Sequence, residues 1–182
     1  MRLENSFEVA APRDAAWRLL NDVPSVVPCL PGAELTEVVD ENTWKATLHV
    51  KLGPIALQFA TDVRREQADE AAGRVVLAAK AREVRGRGSA DATIESRLAA
   101  AADGGTRVDI LTELTLRGAV AQYGRGVVAD VASRLTSQFA GCIAGKLSDT
   151  PQPPASTEPV PIGGFRLLVG ALWRSLFRRA RK

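Results

Sequence analysis

Apolar and polar residues alternate over long stretches of this chain, which is the pattern of β-strands with one buried and one solvated face. In the segment 43–53, TWKATLHVKLG, every second residue from Trp44 to Leu52 is apolar, and His49 and Lys51 fall on the opposite face. Six further segments show the same period: LENSFEV, ELTEVV, IALQFATDV, RVVLAAKAR, SADATIESRL and TRVDILTELTLRG. Seven strands joined by short turns predict an antiparallel meander with one dry face.

The period changes after Gly118, where apolar residues recur every three or four positions. This spacing predicts one long helix that ends at about Leu147, with an apolar stripe formed by Tyr123, Val127, Val131, Leu135, Phe139 and Cys142. A shorter helix is expected to begin at Pro12, and the prolines of NDVPSVVPCLPGAE leave room for only a short second helix. Because a twisted sheet cannot leave its apolar face in water, the long helix is expected to cover it, which gives an α+β fold.

The inward positions of the strands contain many small side chains, namely Ala46, Ala79, Ala81, Ala90, Ala92 and Ser96. A curved sheet roofed by one helix encloses considerable volume, and small side chains fill little of it. The pattern therefore favours an apolar hollow for a ligand. The alternative is an alanine-rich core that is simply filled.

Candidate catalytic residues are few. His49 is the only histidine, and the alternation places it on the solvated face. Cys29 and Cys142 are far apart in the sequence, have no partner at metal-ligand spacing, and are interpreted as cytosolic thiols. Tyr123 lies at the helix end of the expected hollow, where its hydroxyl either binds a ligand or bonds to backbone as a core tyrosine does. With no acid and base paired on the dry face, we predict a non-catalytic protein without a metal site.

The positive charge of the chain is concentrated at its end. The 182 residues are 46% hydrophobic and 25% charged, with a net charge of +3. The end contributes six cations, Arg166, Arg174, Arg178, Arg179, Arg181 and Lys182, so the first 161 residues carry −3. A nucleic-acid-binding domain usually carries its basic residues on the folded body, so nucleic acid is not expected as a partner.

The chain divides into three parts by composition. Residues 1–148 are expected to form the folded domain, 149–161 contain five of the ten prolines and suit an extended linker, and 162–182 form a basic amphipathic segment. No stretch is long and apolar enough for a transmembrane helix. As a helix the last segment would lie in the plane of a bilayer interface. Its predicted membrane-binding residues are Phe165, Arg166, Leu168, Val169, Leu172, Trp173, Arg174, Leu176, Phe177, Arg178 and Arg179. A helix that docks on an acidic, grooved partner, or a disordered basic end, is the alternative.

Three segments resemble a known family. VPCLPGAEL (27–35), KLGPI (51–55) and QYGRGVVADVASRLTSQFAGCI (122–143) are similar to the family of the carbon monoxide dehydrogenase G subunit (CoxG), over roughly residues 1–147. The resemblance implies a helix-grip fold of the START and pollen-allergen-like superfamily, in which a seven-stranded curved sheet and a long C-terminal helix enclose an apolar cavity.

The resemblance also implies a role. Such a protein would bring an aerobic molybdenum hydroxylase, typically carbon monoxide dehydrogenase, to the cytoplasmic membrane, where its electrons enter the quinone pool. Relatives accompany other molybdenum hydroxylases, so the enzyme partner stays open. The expected location is the cytoplasm, with peripheral attachment to the inner face of the cell membrane.

Together, the hollow and the amphipathic end suggest that the protein carries a respiratory quinone, menaquinone or ubiquinone, with no covalently bound cofactor. The wall residues chosen by their facing are Val26, Leu30, Leu48, Phe59, Ala79, Ala92, Leu114, Tyr123, Val127, Val131 and Phe139. Two other functions are considered, a recruitment adaptor without a ligand and a small hydrolase or cyclase that uses the cavity.

Overall fold

A computed structural model describes residues 1–52 and 55–148. The expected linker and basic segment, 149–161 and 162–182, lie outside the described residues, as does the turn at 53–54. The elements in chain order are β1 (Arg2–Val9), α1 (Arg13–Asn21), α2 (Val23–Val26), β2 (Ala33–Asp40), β3 (Thr43–Leu52), β4 (Ile55–Asp69), β5 (Arg74–Glu83), β6 (Gly88–Ala100), β7 (Thr106–Gly118) and α3 (Arg125–Leu147). Single 3₁₀ turns occupy Val27–Cys29 and Ala119–Gln122.

All seven strands join one antiparallel sheet in the order β1-β7-β6-β5-β4-β3-β2. The predicted seven-stranded meander is confirmed, and each consecutive pair from β2 to β7 is a hairpin. The first strand closes the other side by pairing with β7, so that Leu3 lies opposite Thr112 and Val9 opposite Thr106. β1 and β2 are therefore the two edges of the sheet.

The apolar interior consists of two separate clusters. The larger one, here called the major core, lies where α1 and the second half of α3 meet the sheet, and its buried members are Val9, Ala16, Trp17, Val26, Cys29, Val75, Leu98, Val108 and Ile143. The smaller one, the minor core, lies near the opposite end of the sheet and contains Leu57, Phe59 and Val120, with Tyr123 packed against them. Trp44, which is 3% exposed, belongs to neither cluster. It lies in the same cross-strand row as Val63, Ala79 and Ala92.

Helix α3 is held over one side of the sheet. Its nearest backbone neighbours are β1, the turn Val27–Cys29 and helix α1. Phe139 packs edge-on against Phe7 of β1, with ring centroids 6.0 Å apart. The start of the helix is attached to the same edge strand, because Arg125 Nη2 donates to the carbonyl oxygen of Arg2 at 3.1 Å.

A disulfide bond joins Cys29 to Cys142, and neither cysteine is free. The interpretation of these residues as separate thiols is wrong. Their separation of 113 residues hid the pairing, because the chain leaves α2 beneath α3 and returns to the same place only at the end of the fold. The bond ties α3 to the segment that leads into β2.

An ion-pair network on the convex face makes stability depend on pH. Glu95 accepts hydrogen bonds from Arg74 Nη2 at 2.7 Å and Arg97 Nε at 2.6 Å, and these partners lower its pKa from 4.5 to about 2. A lowered pKa stabilises the fold at pH above the unfolded value, and this contribution is lost as pH falls through the folded value. We expect Glu95→Gln to lower the urea midpoint at pH 7 and the difference from the parent to shrink steadily between pH 4.5 and 2. A difference that is constant over that range would contradict the assignment.

Candidate functional site

The floor of the hollow is made of small side chains on the concave face of the sheet. Ala79 of β5 lies opposite Ala92 of β6, and Ala81 lies opposite Ala90. These four alanines are only half-buried, although their positions face the interior. Ala81 packs against the minor core, whereas Ala79, Ala90 and Ala92 belong to neither core. The half-buried floor thus coincides with small inward residues that the sequence predicted.

A cavity of about 260 Å³ lies between the first half of α3 and the edge of the sheet. Its wall is formed by the turn before β2, the end of β3 and one face of α3: Pro31, Gly32, His49, Val50, Lys51, Val127, Asp130, Val131, Arg134, Leu135 and Gln138. Val131 and Leu135 are half-buried, whereas Asp130, Arg134 and Gln138 are exposed. The apolar side chains thus form the interior of the cavity, and the polar ones surround its opening.

The turn at Pro31–Gly32 is fixed tightly to β3. The amide of His49 donates a hydrogen bond of 2.8 Å to the carbonyl oxygen of Gly32. Gly32 has φ +78°, and a Cβ added there would lie 2.3 Å from the carbonyl oxygen of His49. Only glycine fits this close approach in a left-handed conformation. The turn is therefore a rigid part of the cavity wall.

The predicted wall residues are distributed over three regions. Val127 and Val131 line the cavity, and Val127 is 41% exposed. Ala79 and Ala92 belong to the floor, and Leu114 lies beside Ala92 in the register.

The remaining predictions fall in the cores or next to them. Phe59 is buried in the minor core, with Leu48 and Tyr123 against it. Val26 is buried in the major core, and Phe139 packs on that core. Leu30, which follows the disulfide, is half-buried. These side chains bound the hollow at its two ends.

The structure adds wall residues that the sequence analysis missed. Leu135 and Gln138 continue the helix face of Val131 at the spacings of four and seven residues, and this signal was present in the sequence. His49 and Lys51, expected on the solvated face, belong to the cavity wall. The pairing of β2 with β3 begins at Ala33 and Leu48, so beyond this point β3 is itself an edge, and the cavity adjoins that edge.

One acid is buried beside the minor core. Glu83 is 5% exposed and lies opposite Phe59 in the sheet. Its Oε2 accepts hydrogen bonds from the amides of Arg85 at 2.9 Å and Arg87 at 3.0 Å. Burial raises the pKa of Glu83, but the backbone donors and the charge of Arg87 outweigh burial and lower the pKa overall. The carboxylate holds the β5–β6 turn and is unsuited to proton transfer with a ligand.

No group of three or more His, Cys, Asp or Glu side chains suited to a metal ion occurs in residues 1–52 and 55–148. Within the same residues, none of the helices has the length and hydropathy needed to cross a membrane.

Comparison with known families decides the classification. Residues 6–148 match the model for the G subunit of carbon monoxide dehydrogenase (CoxG). The chain belongs to the CoxG family. The match covers the whole described domain except its first five residues, so the CoxG resemblance drawn from three motifs is confirmed. None of the curated protein sequences matches this CoxG-family chain.

Solved structures confirm the helix-grip fold. A conserved protein from Geobacillus kaustophilus aligns with a TM-score of 0.73 at 20% identity, over 82% of this chain and 96% of that one. The aromatase/cyclase Zhui from Streptomyces sp. R1128 aligns at 0.59 and 16% identity, over 81% and 93%. A START superfamily protein from Mycobacterium smegmatis aligns at 0.53 and 13% identity, over 81% and 97%. At these identities the likeness shows the fold shared by this CoxG-family protein and its neighbours.

Proposed function

We propose that this protein is a non-catalytic accessory that binds a respiratory quinone and brings a molybdenum hydroxylase, typically carbon monoxide dehydrogenase, to the cytoplasmic membrane. The observation that carries the proposal is the half-buried alanine floor of β5 and β6, together with the cavity of about 260 Å³ beside α3. Family membership supports the link to carbon monoxide dehydrogenase.

The apolar hollow suits a molecule that is poorly soluble in water. A quinone has an apolar isoprenoid tail, and burial of apolar surface contributes roughly 25 cal/mol per Å². The floor of Ala79, Ala81, Ala90 and Ala92 leaves space for such a chain, since none of these side chains extends beyond one methyl group. A filled core would instead have larger side chains meeting at this place.

The polar groups of the quinone require partners at the end of the hollow that opens to solvent. Quinone carbonyl oxygens accept hydrogen bonds, and Arg134 and Gln138 carry donor groups at the cavity opening. With the headgroup there, the ring would lie where a docked dehydrogenase can reach it. Tyr123 packs on the minor core, so it would bound the tail end of the ligand.

The three-part organisation supplies the membrane contact. Residues 1–148 would bind the ligand, 149–161 would act as a linker, and 162–182 would form the anchor, with its apolar arc among acyl chains and its cations at anionic headgroups. Each cation near such a surface contributes about 1 kcal/mol. This arrangement corresponds to peripheral attachment at the cytoplasmic face.

Transfer from vesicles tests ligand binding and anchoring separately. We expect the full chain to pellet with anionic vesicles and to remove menaquinone from them, as measured by chromatography of the re-isolated protein. Deletion of residues 162–182 should abolish pelleting but leave binding of detergent-dispersed menaquinone unchanged. A full chain that pellets yet acquires no quinone would support an adaptor without a ligand. Unchanged pelleting after the deletion would show that the anchor assignment is wrong.

A further inference from the structure

Charged residues are segregated between the two ends of the sheet. One end contains the β5–β6 turn, the last residues of β3 and β7, and the start of α3. We call it the basic end, because it carries the cations Lys51, Arg82, Arg85, Arg87, Arg117 and Arg125. Four of these are exposed, and Lys51 and Arg87 are half-buried.

Two of the acids near the basic end are engaged, whereas Asp130 of the cavity wall forms no ion pair in the described part of the chain. Glu83 is buried against the backbone of its own turn. Asp91 forms an ion pair with Arg117. Within the described part of the chain, Lys51, Arg82 and Arg85 have no ion pair with an acid. The positive charge of this end is therefore largely uncompensated.

The opposite end has the reverse character. Its three turns, residues 40–42, 69–73 and 101–105, contain Asp and Glu but no Lys or Arg. Their acids are Asp40, Glu41, Asp69, Glu70 and Asp103. Arg13 and Arg65 donate to carbonyl oxygens of two of these turns, at Glu70 and Glu41, so cations also occur near this end. The turns themselves differ in charge along the strand direction, and this difference would turn the basic end towards an anionic surface.

Two of the exposed valines also lie at the basic end. Val84, in the β5–β6 turn, is 52% exposed between Glu83 and Arg85, and Val127, in the first turn of α3, is 41% exposed. Val127 belongs to the cavity wall, and so does Lys51. Cations, protruding apolar side chains and part of the cavity wall thus occur on one end of the fold.

We propose that the basic end is a second membrane-binding surface, which holds the cavity wall at Lys51 and Val127 against an anionic phospholipid bilayer. Arg82, Arg85 and Lys51 would contact lipid phosphates, and Val84 would enter the interface. The ligand's route from bilayer to cavity rests on the proposed function, whereas the docking itself requires no bound ligand. Charge complementarity favours this occupant, because the basic end attracts anionic lipid and the acidic end is repelled by it.

The anchor and the basic end can reach the same bilayer. The 23 residues of α3 carry the chain about 34 Å from the basic end to the acidic end. Residues 149–161, if extended, span up to about 45 Å. The segment that begins at 162 therefore has enough chain to return to the plane on which the basic end would rest.

Single-site labelling of the full chain tests the orientation. Val84→Cys and Val38→Cys each provide one site for an environment-sensitive dye. The two valines are similarly exposed, at 52% and 54%, and Val38 lies in edge strand β2, away from the basic end. Both native cysteines are bonded to each other, so the introduced thiol is the one that reacts. With quinone-free vesicles of phosphatidylglycerol and phosphatidylcholine in equal parts, we expect a blue shift at position 84 and none at 38.

Charge reversal supplies the matched comparison. Arg82→Glu/Arg85→Glu should weaken vesicle affinity about tenfold or more and remove the shift at position 84. Arg18→Glu/Arg64→Glu, which has the same net charge and alters exposed arginines elsewhere, should change neither. A dye at position 84 that stays in water while the protein pellets would overturn the inference, and so would equal shifts at both sites. Because these vesicles contain no quinone, failure of ligand binding would leave this result unaffected.

Discussion

Replacing Ala92 with phenylalanine is expected to reduce quinone affinity at least about tenfold while changing the free energy of unfolding by less than about 1 kcal/mol. Ala92 lies on the half-buried floor beside Ala79 and Leu114, so an added ring projects into the hollow and meets few atoms there. The ring would occupy the volume that the ligand needs. Fluorescence titration with a quinone or a lipophilic dye, together with urea unfolding, measures both effects on the same protein.

The same substitution at Ala16 is the matched control. Ala16 is 0% exposed within the major core, so a phenylalanine there has no free volume to enter. We expect Ala16→Phe to destabilise the fold by 1–3 kcal/mol or more, as estimated roughly from overpacked cores. If Ala92→Phe destabilises the protein as much as Ala16→Phe, the floor is covered and the hollow does not exist.

Removal of the disulfide is expected to have the largest effect on stability. Cys29 is fully buried in the major core, and its bond to Cys142 closes a loop of 113 residues. Such a bond restricts the unfolded chain, and its loss typically costs about 2–5 kcal/mol. Cys29→Ala/Cys142→Ala should therefore lower the urea midpoint strongly, and reduction of the parent protein should lower it by a similar amount.

The double variant also provides the control for the reductant. Adding reductant to Cys29→Ala/Cys142→Ala should have no effect, because no bond remains to be broken. If reductant leaves the parent midpoint unchanged while free thiols are absent before treatment and present after it, the bond does not contribute to stability. Thiol counting on protein freshly isolated from cells shows whether the bond is formed in the living cell.

The order of elements could be predicted from periodicity because each strand has one dry face. Alternation located all seven strands, and the change of period located α3. Alternation does not identify the contacts that a residue makes, so the interactions of two charged side chains could not be predicted from it. The first is Arg65 of β4, whose guanidinium lies 5.2 Å from the ring centre of Trp44. The same guanidinium donates a hydrogen bond of 3.0 Å to the carbonyl oxygen of Asn21. The second is Glu83, whose charge is stabilised by turn amides.

The site could be predicted only in part for the same reason. The small residues of the floor and the apolar face of α3 are local patterns, so Ala79, Ala92, Val127 and Val131 were accessible to sequence reasoning. The position of the cavity depends on where α3 stands clear of the sheet, and this depends on its attachment through Cys142 and Phe139. These contacts join distant parts of the chain, so the local periodicity of the sequence cannot predict them.

The proposed function requires that the hollow holds a lipophilic molecule. The direct measurement is organic extraction and mass spectrometry of the full-length protein purified without detergent from cells that make quinone. We predict a quinone in the extract of the parent protein and a large loss of it in Ala92→Phe prepared in parallel. A parent protein that yields no quinone, and that acquires none from quinone-containing vesicles, would contradict the claim.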